Sequence, residues 1–139
     1  MSYIDTSVLA AYYCPEADSD KAEKAVLSTQ RPAISTLTEV EMASAVSRKI
    51  REGNLSQEDG KRILDRFHSD IRQKFYQRLQ LTEKHYKTAQ GFISRFSTSL
   101  RTLDALHLAL ACNHNLTVVT SDKKLAESAE KLDINILKI

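Results

Sequence analysis

Two aspartates stand where short apolar runs end: Asp5 closes YID near the amino terminus, and Asp122 follows VVTS towards the carboxyl end. Hydroxyls flank both, Thr6 and Ser7 in one case, Thr120 and Ser121 in the other. An Asp at a strand exit can cap the following helix or hold a ligand, and neither residue alone decides between the two. Two further acids lie on elements that begin near the same rim, Glu41 in STLTEVEMASAV and Asp104 in RTLDALHLALA. Asp104 stands among Leu103, Ala105, Leu106, Leu108 and Ala109, where a solvated acid is unexpected, although a helix N-terminus also stabilises an anion. Were the four to converge, each pair at ~4 Å would repel by about 4 kcal/mol at an effective dielectric near 20. A divalent cation would resolve that repulsion. Carboxylates and water suit Mg2+ or Mn2+, and the chemistry implied is metal-assisted attack on a phosphate.

Other chemistries find no residues to carry them. The only glycines are Gly53, Gly60 and Gly91, none directly after a strand, so neither a phosphate-cradling Walker loop nor a dinucleotide turn can be built. His107 lies three positions beyond Asp104 on the same helix face, where a lone histidine reads as packed or hydrogen-bonded core rather than as a base. His68, His85 and His114 have no ligand-set spacing. Cys14 and Cys112 form no CxxC or Cys/His pattern and read as reduced thiols, not zinc ligands or a disulfide.

The elements that position the acids alternate in type. A short strand over about Ser2–Asp5 leads to a helix over Val8–Tyr13, stopped by Pro15. A second helix is predicted over Ser19–Gln30, then a strand over Ala33–Ser35 after Pro32. From Thr38, Val40, Ala43, Val46 and Ile50 recur at helical spacing until Gly53-Asn54. Another helix restarts at Ser56 and runs to about Ile71. Phe75–Leu81 reads as an edge strand or an extended loop, followed by a helix over Thr82–Ser94. The last elements are an apolar helix around Leu103–Asn113, a strand over Thr117–Thr120, a helix from Ser121-Asp122 to Lys131, and a strand over Ile134–Ile139. Short strands separated by helices imply an α/β fold with a short, mainly parallel sheet covered on both faces. In such sheets ligands bind beyond the carboxyl ends of the strands, where the acids fall.

A chain of 139 residues suits a single domain spanning 1–139, and 42% apolar with 27% charged residues excludes disorder as its native state. No apolar run reaches the ~20 residues of a membrane span, so a cytoplasmic protein without a membrane partner is expected. The net charge of +2 does not mark a nucleic-acid binder, yet residues 48–78 carry nine basic against five acidic side chains. Arg48, Lys49, Arg51, Lys61, Arg62 and Arg66 of this hairpin are candidate partners for the phosphates of a nucleic acid, with a solvated charged face as the alternative.

The segments YIDTSVL, ISTLTEVEMASAV, LDALHLALA and VVTSDKKLAESA together resemble, in order and spacing, the motifs of PIN-domain ribonucleases, and most of all the toxins of VapBC toxin–antitoxin pairs. The resemblance spans essentially the whole chain. It implies a three-layer α/β/α sandwich, Mg2+- or Mn2+-dependent endoribonuclease activity on a structured RNA, a homodimer, and inhibition by a cognate antitoxin that alone contacts operator DNA. Carried over by position, it makes Asp5, Glu41, Asp104 and Asp122 catalytic. Asp5, Asp104 and Asp122 then bind the principal cation, while Glu41 serves a second cation or the attacking water. Ser7 matches a hydroxyl position that orients a carboxylate, as does Thr120 or Ser121, with helix capping as the competing role. Glu39, about 200° round the helix from Glu41, fits the pattern less well. Asn115 departs from the glycine common at that turn. A nuclease acting on DNA and a non-catalytic RNA-binding or acidic-pocket module are the alternatives.

Overall fold

The computed structural model describes all 139 residues. Its elements run β1 (Ser2–Ile4), α1 (Thr6–Tyr13), α2 (Ser19–Leu27), β2 (Ala33–Ser35), α3 (Thr36–Arg51) and α4 (Gln57–Arg72). They continue with β3 (Gln77–Leu79), α5 (Glu83–Ile93), α6 (Thr102–Asn113), β4 (Thr117–Thr120), α7 (Lys123–Lys131) and β5 (Ile136–Lys138). All strand pairs are parallel, in the order β3-β2-β1-β4-β5. Every crossover is helical, as parallel neighbours require.

Strand alternation divides the core into two layers. Tyr3, Ala33, Leu79 and Val118 pack with α5, α6 and α7 on one face of the sheet. Ile4, Ile34 and Val119 face the other way, against α1–α4 through Val8, Leu9, Val26, Met42 and Phe67. The result is the expected α/β/α sandwich. Because the chain steps outward from β1 to β2 and β3, then returns to the other side of β1 with β4, strand order reverses between β1 and β4. Crevices form at such reversals, beyond the carboxyl ends.

Several boundaries differ from the sequence expectation. β1 ends at Ile4, and Asp5 is the extended N-cap of α1. The third helix starts at Thr36, not Thr38, because Ser35 and Thr38 close a capping box. α2 stops at Leu27 rather than Gln30, before Arg31 turns through φ 54°. Gln77–Leu79 is a true edge strand, pairing with β2 from Ala33↔Gln77 to Ser35↔Leu79. Asn115, where the resemblance would place a glycine, takes a left-handed conformation with φ 54°. No helix is long and apolar enough to cross a membrane.

Candidate functional site

The strand-order reversal opens into a cleft of about 440 Å³ whose lining includes Asp5, Glu41, Asp104 and Asp122. Four different elements deliver them: the cap after β1, the second turn of α3, the first turn of α6, and the cap of α7. Thr6, Ser7, Ser44 and Arg48 add polar groups, while Leu37, Val40 and Leu103 form apolar walls.

Three of the carboxylates share one arrangement. Asp5 caps no backbone amide with its side chain. Instead its Oδ2 accepts from Ser7 Oγ at 2.6 Å and from Thr120 Oγ1 at 2.8 Å. Glu41 Oε1 accepts from Thr6 Oγ1 at 2.7 Å and is bonded to His107 Nε2. Asp122 Oδ1 accepts from the amides of Lys124 at 2.9 Å and Leu125 at 3.3 Å. In each case two donors tether one oxygen, and the other carries no hydrogen bond. The helix-capping role thus belongs to Asp122 and not to Asp5.

Asp104 is different, since its carboxylate takes part in none of the side-chain hydrogen bonds or ion pairs of its neighbours. Burial raises its carboxyl above the usual range, and the charges of Asp5 and Asp122, with a smaller push from Glu41, raise it further against the pull of His107. For Glu41 burial acts upward as well. The His107 hydrogen bond and charge and the Thr6 hydroxyl outweigh it and hold the carboxyl below its ordinary value. Burial would lower His107, but its bond to Glu41 and the charges of Glu41, Asp5 and Asp104 raise it. The His107–Glu41 contact thus favours the charged form of each partner.

The donor set suits a hard divalent cation: carboxylate and hydroxyl oxygens line the cleft, with no thiol or imidazole among them. No three His, Cys, Asp or Glu side chains already stand as a ligand set for one ion.

The hydroxyls and cations separate into distinct roles. Ser7 and Thr120 both bond Asp5, whereas Ser121 contributes its backbone amide to Ser7 Oγ at 3.2 Å. Glu39 turns away to Arg78 on β3, Oε2 to Nε 2.8 Å, leaving Glu41 as the α3 acid of the cleft. Of the basic hairpin only Arg48 lines this cleft. Lys49 is paired with Glu16 at 2.5 Å, Arg62 with Asp59 at 3.0 Å, and Arg66 lies over the rings of Tyr12 and Tyr13. Arg51 and Lys61 line a separate groove between α3 and α4. Thr6 and His107 are the functional neighbours that sequence reasoning left out. The run DTS signalled a hydroxyl beside Asp5, but nothing local pointed Thr6 at a residue 35 positions away.

Known proteins resemble this chain in sequence or in fold. Ribonuclease VapC3 of Pyrobaculum aerophilum is 27% identical over 124 residues, covering 89% of this chain and 91% of that protein. VapBC2 of Rickettsia felis, solved with a DNA fragment from its promoter, superposes with a TM-score of 0.71 at 16% identity, over 100% of this chain and 99% of that one. VapC20 of Mycobacterium tuberculosis, a toxin that cleaves the sarcin-ricin loop, gives 0.70 at 14% identity, over 92% and 95%. Residues 2–131 match the family described as PIN domain, and the chain belongs to that family.

Proposed function

We propose that this protein is a divalent-cation-dependent endoribonuclease of the toxin class, held inactive by a cognate antitoxin. The observation that carries the reading is the delivery of four acids by four elements to one cleft at the strand-order reversal. The kinship with ribonuclease VapC3 and the likeness to VapC20, a toxin named for cleaving an RNA loop, support RNA as the substrate. The chain also shares its fold with VapBC2, solved on promoter DNA, which supports an antitoxin partner and operator contact through that partner.

In this reading Asp5, Asp104 and Asp122 hold Mg2+ or Mn2+. A bound divalent cation supplies polarisation of the phosphodiester and activation of water. Ser7 and Thr120 keep the Asp5 carboxylate in one rotation, so that Oδ1 faces the cleft. Glu41, ionised, offers its untethered oxygen to orient the attacking water and accept its proton. Arg48 on the cleft wall meets a substrate phosphate. The active unit is a homodimer.

The test is cleavage of matched RNA and DNA strands by the purified chain, with Mg2+, with Mn2+ and with EDTA. RNA is cut to 5′-phosphate and 3′-hydroxyl ends, EDTA stops the reaction, and DNA is spared. Asp5→Asn abolishes cleavage yet keeps both hydroxyl donors on its remaining oxygen, changing stability by only about 1 kcal/mol. Wild-type cleavage by that variant, or cutting in EDTA, overturns the proposal. Preferential cutting of DNA would replace the substrate while keeping the site.

A further inference from the structure

The buried polar chain behind the cleft has no part in the scheme above. His107 is 1% exposed, in a helix whose neighbours Ala105, Leu106, Leu108 and Ala109 belong to the apolar layer. Burying an imidazole there is costly unless both nitrogens are bonded. They are: Nδ1 lies 2.5 Å from Tyr3 Oη, and Nε2 meets Glu41 Oε1. Tyr3, itself fully buried, continues the chain to Ser35 Oγ at 2.8 Å. A continuous line of hydrogen bonds therefore runs from β2 through β1 and α6 to an acid on α3.

The end of that line matters more than its length. Glu41 is a long, half-buried side chain on α3, and confining one costs up to about 2 kcal/mol in rotamer entropy. Thr6 from α1 grips Oε1 from one side. His107 reaches the same oxygen from the core, and its own position is fixed by Tyr3 rather than by solvent. Two donors on one oxygen set both the place and the rotation of the carboxylate.

We propose that His107 is a positioning residue: anchored by Tyr3, it braces Glu41 so that the carboxylate presents its free oxygen to the cleft. Its kinetic consequence rests on the nuclease reading, whereas the brace itself does not. A purely space-filling histidine would be replaceable by any side chain of similar volume, and that is the point of test.

The decisive pair is His107→Met and His107→Gln in the full chain. Both are unbranched and close in size, but only glutamine supplies an N–H to Glu41. The apolar layer favours methionine, so H107M is at least as stable as H107Q in urea denaturation. On a model RNA the order inverts: kcat of H107M falls about 10- to 100-fold with KM changed less than about twofold, while H107Q stays within about fivefold of wild type. Activity and stability ranking oppositely is something a structural role does not produce. Crystal structures of the two variants give a readout free of catalysis, with Glu41 displaced from Thr6 in H107M and retained in H107Q. Equal activities in the two variants, or Glu41 in its wild-type rotamer in H107M, would overturn the brace. If the wild-type chain cleaves no nucleic acid, the nuclease reading falls, and the Glu41 position in H107M still decides.

Discussion

Asp104→Asn should stabilise the protein while destroying its activity. The carboxylate accepts no hydrogen bond from the residues around it, so the amide forfeits no donor. What it removes is one charge facing three others. Acids lining a cleft of about 440 Å³, whose equivalent sphere is about 9 Å across, repel by roughly 1 kcal/mol per pair at an effective dielectric near 40. Three pairs sum to roughly 3 kcal/mol at low ionic strength, and screening over a Debye length of about 8 Å leaves roughly 1 kcal/mol at physiological salt. Against this, a neutral residue in the first turn of α6 loses about 0.5 kcal/mol of helix-dipole interaction. The net gain is therefore about 2 kcal/mol at low salt and about 0.5 kcal/mol at physiological salt. Urea denaturation of both proteins in EDTA, at two ionic strengths, measures it. The gap should close on acidification. The folded-state value of Asp104 is raised, so its destabilising charge is complete above that value and gone below the ordinary carboxylate range, where both proteins are neutral at this position. Millimolar Mg2+ should also narrow the gap, by stabilising the wild type. A variant less stable than wild type in low-salt EDTA refutes the picture of mutually repelling acids.

Other expectations follow from the same contacts. Glu39→Gln breaks only a partly exposed pair with Arg78, costs at most about 1 kcal/mol, and leaves nuclease activity intact, whereas Glu41→Gln abolishes it; a gel-based cleavage assay separates them. The His85–His114 contact, Nε2 to Nε2 at 3.2 Å, makes the α5–α6 pairing acid-sensitive. Burial, then His114 and Lys84, hold His85 below its ordinary value, so its contribution is complete above about pH 6.5 and is lost as pH falls through the depressed value. His114→Asn should flatten the pH dependence of the denaturation midpoint below pH 6.5, and an unchanged slope would assign the acid sensitivity elsewhere.

The acids were legible because each sits beside a local signal. Asp5 and Asp122 mark the ends of apolar strands, and Asp104 breaks an otherwise apolar helix. Helical geometry kept Glu39 and Glu41 from facing one cation together, the family resemblance chose Glu41, and in the fold Glu39 pairs with Arg78 instead. What stayed hidden depends on partners distant in the chain. Phe75–Leu81 is ambiguous by itself, because Gln77 and Arg78 are polar, and only pairing with β2 makes a strand of Gln77–Leu79. The basic hairpin looked uniform in sequence. In the fold Lys49 is consumed by Glu16, Arg66 by two tyrosine rings, and Arg48 alone reaches the cleft. His107 was assigned to the hydrogen-bonded core, and so it is; its second nitrogen ends on Glu41 because α3 and α6 meet across the sheet's reversal, which no local pattern encodes.

The division among the four acids has a physical logic. Tethering one oxygen of Asp5, Glu41 and Asp122 with two donors each orients those carboxylates while leaving the second oxygen without a hydrogen bond. A fourth acid held the same way would add repulsion without relief. Asp104 instead has no donor, and its raised value lets it moderate the charge of the cleft by taking a proton before Glu41 does. Asp104 is therefore the acid whose charge depends most on what else occupies the cleft. A cation that offsets the repulsion should pull its pKa down further than that of the tethered Glu41. Carbon-13 NMR titration of the side-chain carboxyls, with and without Mg2+, reads this directly. A fall at Asp104 larger than at Glu41 supports the division, and equal falls at the two would refute it.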